Sequence, residues 1–239
     1  MTVDVKICGI MTPEHGRAAV AAGADFVGLV FAPSKRRISL LQARKIVAAV
    51  RAAADETGKV VGLVGVFVNE QPETINRIAD EVGLDWAQLS GHEEVALAAA
   101  ISRPVIKAIR FDRHPSEAGW LAQTGDSGQV APLLIDAHVA GSFGGAGVTG
   151  DWEQAAAIAR QRPTWLAGGL TPENVAAAVR RVQPNVVDVS SGVESGGVKD
   201  VAKIQVFIYA AKRASLADLA DTAQDARSAT RDSHSMQEE

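Results

Sequence analysis

The chain has a single cysteine, Cys8, and no long apolar run in its 239 residues. One sulfur can form neither an internal disulfide nor a thiolate zinc cluster within the chain. No segment approaches the roughly 18 uncharged apolar residues that a bilayer span needs. Asp4 and Lys6 interrupt the place where a signal peptide has its apolar stretch. These absences predict a cytoplasmic protein without a membrane partner.

The chain also has little excess of either charge. Its formal net charge is −4, from 24 Lys plus Arg against 28 Asp plus Glu. Residues 214–239 alone hold six acidic residues against two arginines, so residues 1–213 carry 22 of each sign. Such a body has no overall field that attracts a nucleic-acid backbone. We expect no nucleic-acid partner, and any bound anion must be held locally.

Short β-branched segments alternate with longer alanine-rich amphipathic ones, which is the pattern of strand-helix units around a parallel sheet. Eight strands are predicted: Val3–Cys8, Phe26–Phe31, Val60–Val68, Trp86–Leu89, Val105–Ile109, Leu133–Asp136, Thr164–Ala167 and Val186–Val189. Helices are predicted over Pro13–Ala22, Leu40–Ala54, Pro72–Val82 and Trp152–Arg162, with a weaker one near Glu117–Gln123.

This order predicts an α/β fold, a single-domain TIM (β/α)₈ barrel over residues 1–213, since eight units need at least about 200 residues. An open doubly wound sheet is the alternative. Residues 214–239 are expected to form an acidic polar extension, partly helical or disordered.

Strands buried on both faces should be almost entirely apolar, so polar side chains within them need a reason. Those that stand out are Asp4, Lys6, Cys8, Lys107, Asp136 and Asp188. In the first strand the alternation turns Asp4, Lys6 and Cys8 toward the barrel interior. Polar groups at the C-terminal strand ends of such barrels are typically catalytic.

Cys8 and Asp136 both lie at C-terminal strand ends, three strands apart around the predicted ring. They would face each other across the mouth as a general base and a general acid. Gly9 exposes the sulfur, and the cation of Lys6 favours the thiolate. The alternatives are a cysteine that serves as a small buried apolar residue and an aspartate that orders a loop.

Glycine-containing stretches follow the last two strands, Gly168-Gly169 in one loop and Ser190-Ser191-Gly192 in the next. Their backbone amides can converge on an anion, helped by a helix dipole that starts near Pro172. Phosphate sites in TIM barrels occupy these two loops. The sequence therefore predicts a phosphate site at Gly168, Gly169, Ser190, Ser191 and Gly192.

A literal G-x-G-x-x-G runs from Gly145 to Gly150. A dinucleotide fingerprint must follow a strand directly and have an acidic residue at the end of the next strand. Here the preceding strand ends at Asp136 and the next one ends at Ala167 without an acid. We interpret this segment as a flap whose amides can reach the substrate.

A cationic cluster, Ser34-Lys35-Arg36-Arg37, follows the second strand on the same rim. An arginine there can bind a substrate carboxylate through two parallel hydrogen bonds. The alternative is a solvated loop.

With these residues in place, the sequence resembles the phosphoribosylanthranilate isomerase family of tryptophan biosynthesis from Val5 to about Ala211. The motifs that carry the resemblance are Lys6-Ile7-Cys8-Gly9-Ile10, Gly28-Leu29-Val30-Phe31, Ser34-Lys35-Arg36, Gly65-Val66-Phe67-Val68-Asn69, Gln88-Leu89, Leu134-Ile135-Asp136-Ala137, Gly144-Gly145-Ala146-Gly147, Asp151-Trp152, Ala167-Gly168-Gly169-Leu170 and Val187-Asp188-Val189-Ser190-Ser191-Gly192-Val193-Glu194. The family pattern differs at Met11, Ser90 and Gly150, none of which supplies an acid, a base or a phosphate contact.

The resemblance implies an Amadori rearrangement of phosphoribosylanthranilate, a small-molecule substrate. Cys8 falls on the family's general base, Asp136 on its general acid and Arg36 on its anthranilate contact. The substrate-binding residues predicted with Arg36 are Lys6, Gln88, Gly145 and Asp188. No metal or organic cofactor is expected, since the substrate's own amine serves as the electron sink.

Two points stay open from the sequence. The chain is expected to be a monomer or a homodimer. The activity could instead be that of another phosphosugar isomerase or epimerase barrel, or the chain could be a catalytically silent phosphate-binding module. Metal chemistry is disfavoured, because all five histidines fall on predicted helices, loops or the tail.

Overall fold

A computed structural model describes residues 2–123, 131–136 and 149–216. Eight parallel strands close into a barrel in chain order, β1 beside β2 and so on around to β8 beside β1. Their bounds are Asp4–Cys8, Phe26–Val30, Gly62–Phe67, Trp86–Leu89, Val105–Ile109, Leu133–Asp136, Thr164–Ala167 and Val186–Val189. The predicted TIM barrel is confirmed, and the open sheet is excluded by the β1–β8 pairing. Three strands are shorter than predicted.

Six helices lie between the strands in the described residues: α1 Pro13–Ala22, α2 Leu40–Thr57, α3 Pro72–Val82, α4 Pro115–Leu121, α5 Thr149–Ala159 and α6 Val175–Val182. Thr12 caps α1 by accepting a hydrogen bond from the His15 amide, and Ser39 forms a capping box with Gln42 at α2. Between β4 and β5 the connection is a 3₁₀ segment, Val95–Ala100.

The two largest apolar clusters of the described residues are arranged as expected for a barrel wrapped in helices. The larger one lies between the strands and the helices, while a smaller cluster fills the barrel interior. Phe26 and Trp86, the first residues of β2 and β4, pack with Trp165 and close the N-terminal end of the barrel. The C-terminal end is left for polar side chains.

Lys107 does not share the interior with the other polar strand residues. Its neighbours Ile106 and Ala108 belong to the interior cluster, so Lys107 points outward. There it is fully buried and its Nζ lies 2.7 Å from the Glu93 carboxylate. Lys107 is therefore a structural residue that ties β5 to the loop after β4.

After β8 the chain forms a short antiparallel hairpin, β9 Glu194–Ser195 with β10 Val198–Lys199, and then helix α7 over residues 201–216. Ser215 in this helix is buried and its Oγ accepts a hydrogen bond of 3.1 Å from the Val3 amide. The predicted domain boundary at residue 213 thus falls inside α7, because the helix docks against the start of β1.

None of the helices in the described parts of the chain is both long enough and apolar enough to cross a membrane.

Candidate active site

A cavity of about 490 Å³ opens at the C-terminal ends of the strands. Most of the predicted site residues line it: Cys8, Gln88, Asp136, Gly168, Gly169, Asp188, Ser190, Ser191 and Gly192. Lys6 is buried below this wall, Arg36 is not among the lining residues, and Gly145 lies outside the described residues. Cys8 from β1 and half-buried Asp136 from β6 therefore border one space, as the strand positions predicted.

Lys6 lies one layer below Cys8 and is completely buried. Its Nζ donates to Gln88 Oε1 at 2.7 Å and to Asp188 Oδ2 at 2.8 Å. Burial alone would lower the pKa of Lys6, but the charges and hydrogen bonds of Asp188 and Cys8 together outweigh burial and raise the pKa. Lys6 stays charged and acts on the cavity through Gln88 and Asp188, because its own ammonium group does not reach the surface.

Asp188 has one carboxylate oxygen occupied by Lys6 and one unoccupied. Its Oδ1 is buried and accepts no hydrogen bond from the described residues. Buried acceptors are normally paired, with protein, water or ligand. Since Asp188 lines the cavity, this oxygen is a position where a hydroxyl donor of a ligand can bind.

Cys8 is buried, with 9% of its surface exposed. Gly28 on the neighbouring strand leaves the space for the sulfur, since a β-carbon there would lie 2.8 Å from Cys8 Sγ. Burial raises the pKa of the Cys8 thiol, and the charge of Lys6 lowers it by less. Lys6 favours the thiolate, as expected, but the sulfur is less exposed than Gly9 predicted, and desolvation is the larger effect on the pKa.

The two predicted phosphate loops touch each other at the cavity. Gly168 and Gly169 take positive φ values of 87° and 64°, which favour glycine. Gly192 packs so closely that a β-carbon on it would lie 1.9 Å from the Leu170 carbonyl oxygen. The helix after the first loop begins at Val175, three residues later than the predicted start near Pro172, because residues 172–174 form a turn.

Arg36 reaches from the loop after β2 to the loop after β8. Its Nε and Nη2 donate to the two carboxylate oxygens of Glu194 at 2.6 and 2.8 Å. Burial would raise the pKa of Glu194, but the hydrogen bonds and charges of Arg36 and Lys199 outweigh burial and lower the pKa to about 2. The predicted carboxylate-binding arginine thus already holds a carboxylate of the protein on one edge.

Sequence reasoning missed two features of the cavity wall. Val30, Ala32 and Val66 form a small apolar cluster with Cys8, which suits a flat aromatic group. Arg110, at the end of β5, also lines the cavity, and its side chain forms no hydrogen bond or ion pair within the described residues. A lone arginine after an apolar strand carries no signal that separates it from an ordinary surface residue.

Within the described ranges, no group of three or more His, Cys, Asp or Glu side chains is placed to hold a metal ion. His92 and His114 stack with ring centroids 3.8 Å apart at the edge of the fold, and His92 pairs with Asp112.

Comparison with known proteins gives a consistent family. Residues 5–210 match the family model of N-(5'-phosphoribosyl)anthranilate isomerase. A relative of that name from Roseiflexus sp. (strain RS-1) is 57% identical over 213 residues, which cover 89% of this chain and 99% of the relative.

Solved structures agree. The chain is similar to a phosphoribosylanthranilate isomerase in complex with reduced 1-(o-carboxyphenylamino)-1-deoxyribulose 5-phosphate, with 40% identity, a TM-score of 0.71 and coverage of 88% of this chain and 98% of that one. It is equally similar in fold to monomers generated from the dimeric Thermotoga maritima isomerase, with 38% identity, a TM-score of 0.71 and the same coverage.

Proposed function

The chain belongs to the N-(5'-phosphoribosyl)anthranilate isomerase family, and we propose that Cys8 and Asp136 carry out its reaction as general base and general acid. The reaction is the Amadori rearrangement of N-(5-phosphoribosyl)anthranilate to 1-(2-carboxyphenylamino)-1-deoxyribulose 5-phosphate in tryptophan biosynthesis. The observation that carries the proposal is that both side chains line one cavity of about 490 Å³, large enough for a single small substrate.

The first step uses Asp136 as the acid. Its carboxyl proton passes to the ribose ring oxygen as the bond between that oxygen and C1 breaks, and the nitrogen lone pair forms a Schiff base with C1. In the second step the Cys8 thiolate takes the proton from C2, and the electron pair neutralises the iminium group to give an enolamine. Transfer of a proton to C1 and loss of the C2 hydroxyl proton then give the ketose. One proton is donated and one accepted at the protein, which fits a single acid and a single base.

The raised pKa of the Cys8 thiol makes the charged base costly in the free site. A thiol with a raised pKa gives a thiolate that is a stronger base than an ordinary thiolate. Lys6 reduces the free-energy cost of forming the thiolate, because its positive charge lies below the sulfur. Gln88 and Asp188 keep the Lys6 ammonium in place. The unoccupied Asp188 Oδ1 is the proposed acceptor for a ribose hydroxyl.

The substrate phosphate is proposed to bind the backbone amides of the two loops in contact after β7 and β8. These loops supply Gly168, Gly169, Ser190, Ser191 and Gly192, which all line the cavity. The apolar wall near Cys8 then lies on the side where the anthranilate ring must be. Arg36 is proposed to bind the anthranilate carboxylate, and Arg110 is the other cation that can do so.

The test follows the fluorescence of the anthranilate group as phosphoribosylanthranilate is consumed. Cys8→Ser and Asp136→Asn should each lower kcat by roughly 10²- to 10⁴-fold, the usual contribution of a general acid or base. Asp85→Asn, at the opposite end of the barrel, is the matched control for the aspartate and should leave kcat unchanged. A Cys8→Ser enzyme with full turnover would remove the proposed base.

The two arginines are separated by the same assay. Arg36→Ala should raise KM with little change in kcat, because an interaction with the non-reacting carboxylate stabilises substrate and transition state equally. Arg110→Ala should have the smaller effect on KM. A larger rise in KM for Arg110→Ala than for Arg36→Ala would show that Arg110, and not Arg36, binds the substrate carboxylate.

Two further properties are proposals from the sequence. A cytoplasmic location is one, to be checked by fractionation of cells that express the chain. The oligomeric state is the other: monomer and homodimer both remain open for this chain, and sedimentation velocity of the full chain distinguishes them.

A further inference from the structure

Glu194 is the centre of an ion cluster behind the cavity wall. Its Oε1 accepts hydrogen bonds from Arg36 Nε at 2.6 Å and from Lys199 Nζ at 2.9 Å, and its Oε2 accepts one from Arg36 Nη2 at 2.8 Å. The side chain of Glu194 is 6% exposed and that of Lys199 is 3% exposed. Ion pairs this well shielded from water hold their geometry far better than surface pairs.

The pairing uses only one edge of the Arg36 guanidinium. Nε and Nη2 form the side edge, and Glu194 accepts from both. Nη1 donates to none of the described residues, so the end edge that it forms with Nη2 is left for another acceptor. A planar guanidinium can bind one carboxylate on each edge because its five N–H groups lie in a fixed fork.

The aliphatic part of the Arg36 side chain is confined as well as its guanidinium group. It crosses Gly9, where a β-carbon would lie 2.5 Å from Arg36 Cδ. Gly9 also has a positive φ of 73°, so the chain turns there without a side chain. The arginine therefore runs directly over the residue that follows the proposed base, Cys8.

Lys199 links the same cluster to the phosphate loop. Its Nζ donates to the Ser190 carbonyl oxygen at 2.8 Å, and Ser190 Oγ donates to the Cys8 carbonyl oxygen at 3.1 Å. Glu194 itself follows the Ser191–Val193 turn directly. One carboxylate thus fixes Arg36 relative to both the phosphate loop and the strand of the base.

We propose that Glu194 is a positioning residue for substrate binding: it holds the side edge of Arg36 so that the end edge faces the carboxylate of the substrate. This inference depends on the proposed role of Arg36. It assigns Glu194 no contact with the substrate and no part in proton transfer. Lys199 supports it by keeping Glu194 in place.

The alternative role of Glu194 is purely electrostatic, and it predicts the opposite sign. A carboxylate beside Arg36 weakens the attraction of the site for an anion, so its removal would tighten binding. If positioning dominates, removal instead frees the arginine side chain, which must then be ordered anew for each substrate. The cost of ordering such a side chain corresponds to a loss of affinity of roughly three- to tenfold.

The experiment measures kcat and KM for Glu194→Gln and Glu194→Asp in the full chain. Glu194→Gln removes the charge, while Glu194→Asp keeps the charge but is too short to reach both nitrogens in the same place. Positioning predicts that both variants raise KM by roughly three- to tenfold, with kcat changed less than about twofold. A lower KM in Glu194→Gln would overturn the proposal in favour of the electrostatic role.

A double variant separates positioning of Arg36 from general support of the fold. In the Arg36→Ala background, Glu194→Gln should change KM no further, because there is no longer an arginine to hold. Inhibition by inorganic phosphate should be unchanged in Glu194→Gln, since the phosphate loops remain. Equal losses for phosphate and substrate, or a full additional loss in the double variant, would show that Glu194 only holds the loop together.

The matched control is Asp85→Asn, which removes a carboxylate that Arg51 also grips through both oxygens, at 2.6 and 2.7 Å. Asp85 precedes β4 at the far end of the barrel, so KM should be unchanged. If Arg36→Ala leaves KM unchanged, the proposed role of Arg36 fails; if Arg36→Ala raises KM but Glu194→Gln does not, only the positioning role of Glu194 fails.

Discussion

Replacing Gly192 with alanine tests the contact between the two loops proposed to bind phosphate. The new β-carbon would lie 1.9 Å from the Leu170 carbonyl oxygen, 3.0 Å from the Leu170 carbonyl carbon and 3.2 Å from the Thr171 α-carbon. A β-carbon essentially never lies closer than 3.0 Å to another heavy atom. The loops after β7 and β8 must therefore move apart by more than about 1 Å, since all three neighbours are backbone atoms.

A displacement of this size at a binding loop can cost about 100-fold in activity. We expect Gly192→Ala to lower kcat/KM by about that factor, mostly through KM, because the phosphate is not the reacting group. Stability should fall by roughly 1–3 kcal/mol, the usual cost of overpacking. A large change in KM together with a moderate loss of stability would identify a binding loop, because a substitution in the core lowers stability without a specific effect on KM.

The measurements are steady-state kinetics by anthranilate fluorescence, competitive inhibition by inorganic phosphate, and urea unfolding. Gly119→Ala is the matched control: Gly119 lies in α4, where the nearest atom to a new β-carbon is Val95 Cγ2 at 3.2 Å, away from the cavity. It should leave KM unchanged. If Gly192→Ala keeps both KM and the phosphate inhibition constant within about twofold of wild type, the loops do not bind the phosphate as proposed.

Three other predictions follow from the described contacts. Because the pKa of the Cys8 thiol is raised, alkylation of Cys8 by iodoacetamide should become faster as the pH rises through that pKa, and this rate does not depend on the protonation of Asp136; an alkylation rate that is flat from neutral to alkaline pH would contradict this. Lys107→Met should lower the free energy of unfolding by about 3–5 kcal/mol, because it leaves the buried carboxylate of Glu93 without its ion pair. A loss below about 1 kcal/mol, measured by urea unfolding, would show that the pair is not buried in solution. Truncation after residue 216 should leave thermal stability and activity nearly intact. Truncation before Ser215 should lower the free energy of unfolding by roughly 1–3 kcal/mol, because it removes the hydrogen-bond acceptor of a buried amide. Equal stability of the two truncated chains would contradict the docking of α7.

The barrel could be predicted from the sequence because its strands are buried on both faces and separated by amphipathic segments of regular length. The polar exceptions were less easily interpreted. In β1 the alternation of Lys6 and Cys8 with apolar neighbours identified the interior face correctly. In β5 all the neighbours of Lys107 are apolar, so periodicity could not say which face it occupies.

The charge network of the site could not be predicted for a different reason. Arg36 and Glu194 are 158 residues apart in the chain, and only closure of the barrel brings them together. The sequence pattern identified the arginine but not its partner, and so could not show that one edge of the guanidinium is occupied. The balance of effects on the pKa of Cys8 could not be predicted for the same reason: Lys6 is visible as a neighbour in the sequence and does favour the thiolate, whereas the burial that outweighs it depends on the packing of Gly28 and the interior.

If Cys8 is the base, as proposed, the order of the strands around the mouth accounts for one productive orientation of the substrate. The apolar wall of Val30, Ala32 and Val66 comes from β2, β3 and the residues that follow β2, while the proposed phosphate loops follow β7 and β8. Because β1 lies between β2 and β8, Cys8 stands between these two regions. A phosphoribosylanthranilate has its aromatic amine on C1 and its phosphate on C5, so binding both ends in the proposed regions would place C2 between them, on the side of the sulfur. A substrate bound in the reverse direction would put its phosphate against the apolar wall, where the charge would lose its hydration, and on the proposed assignment this cost favours the productive orientation.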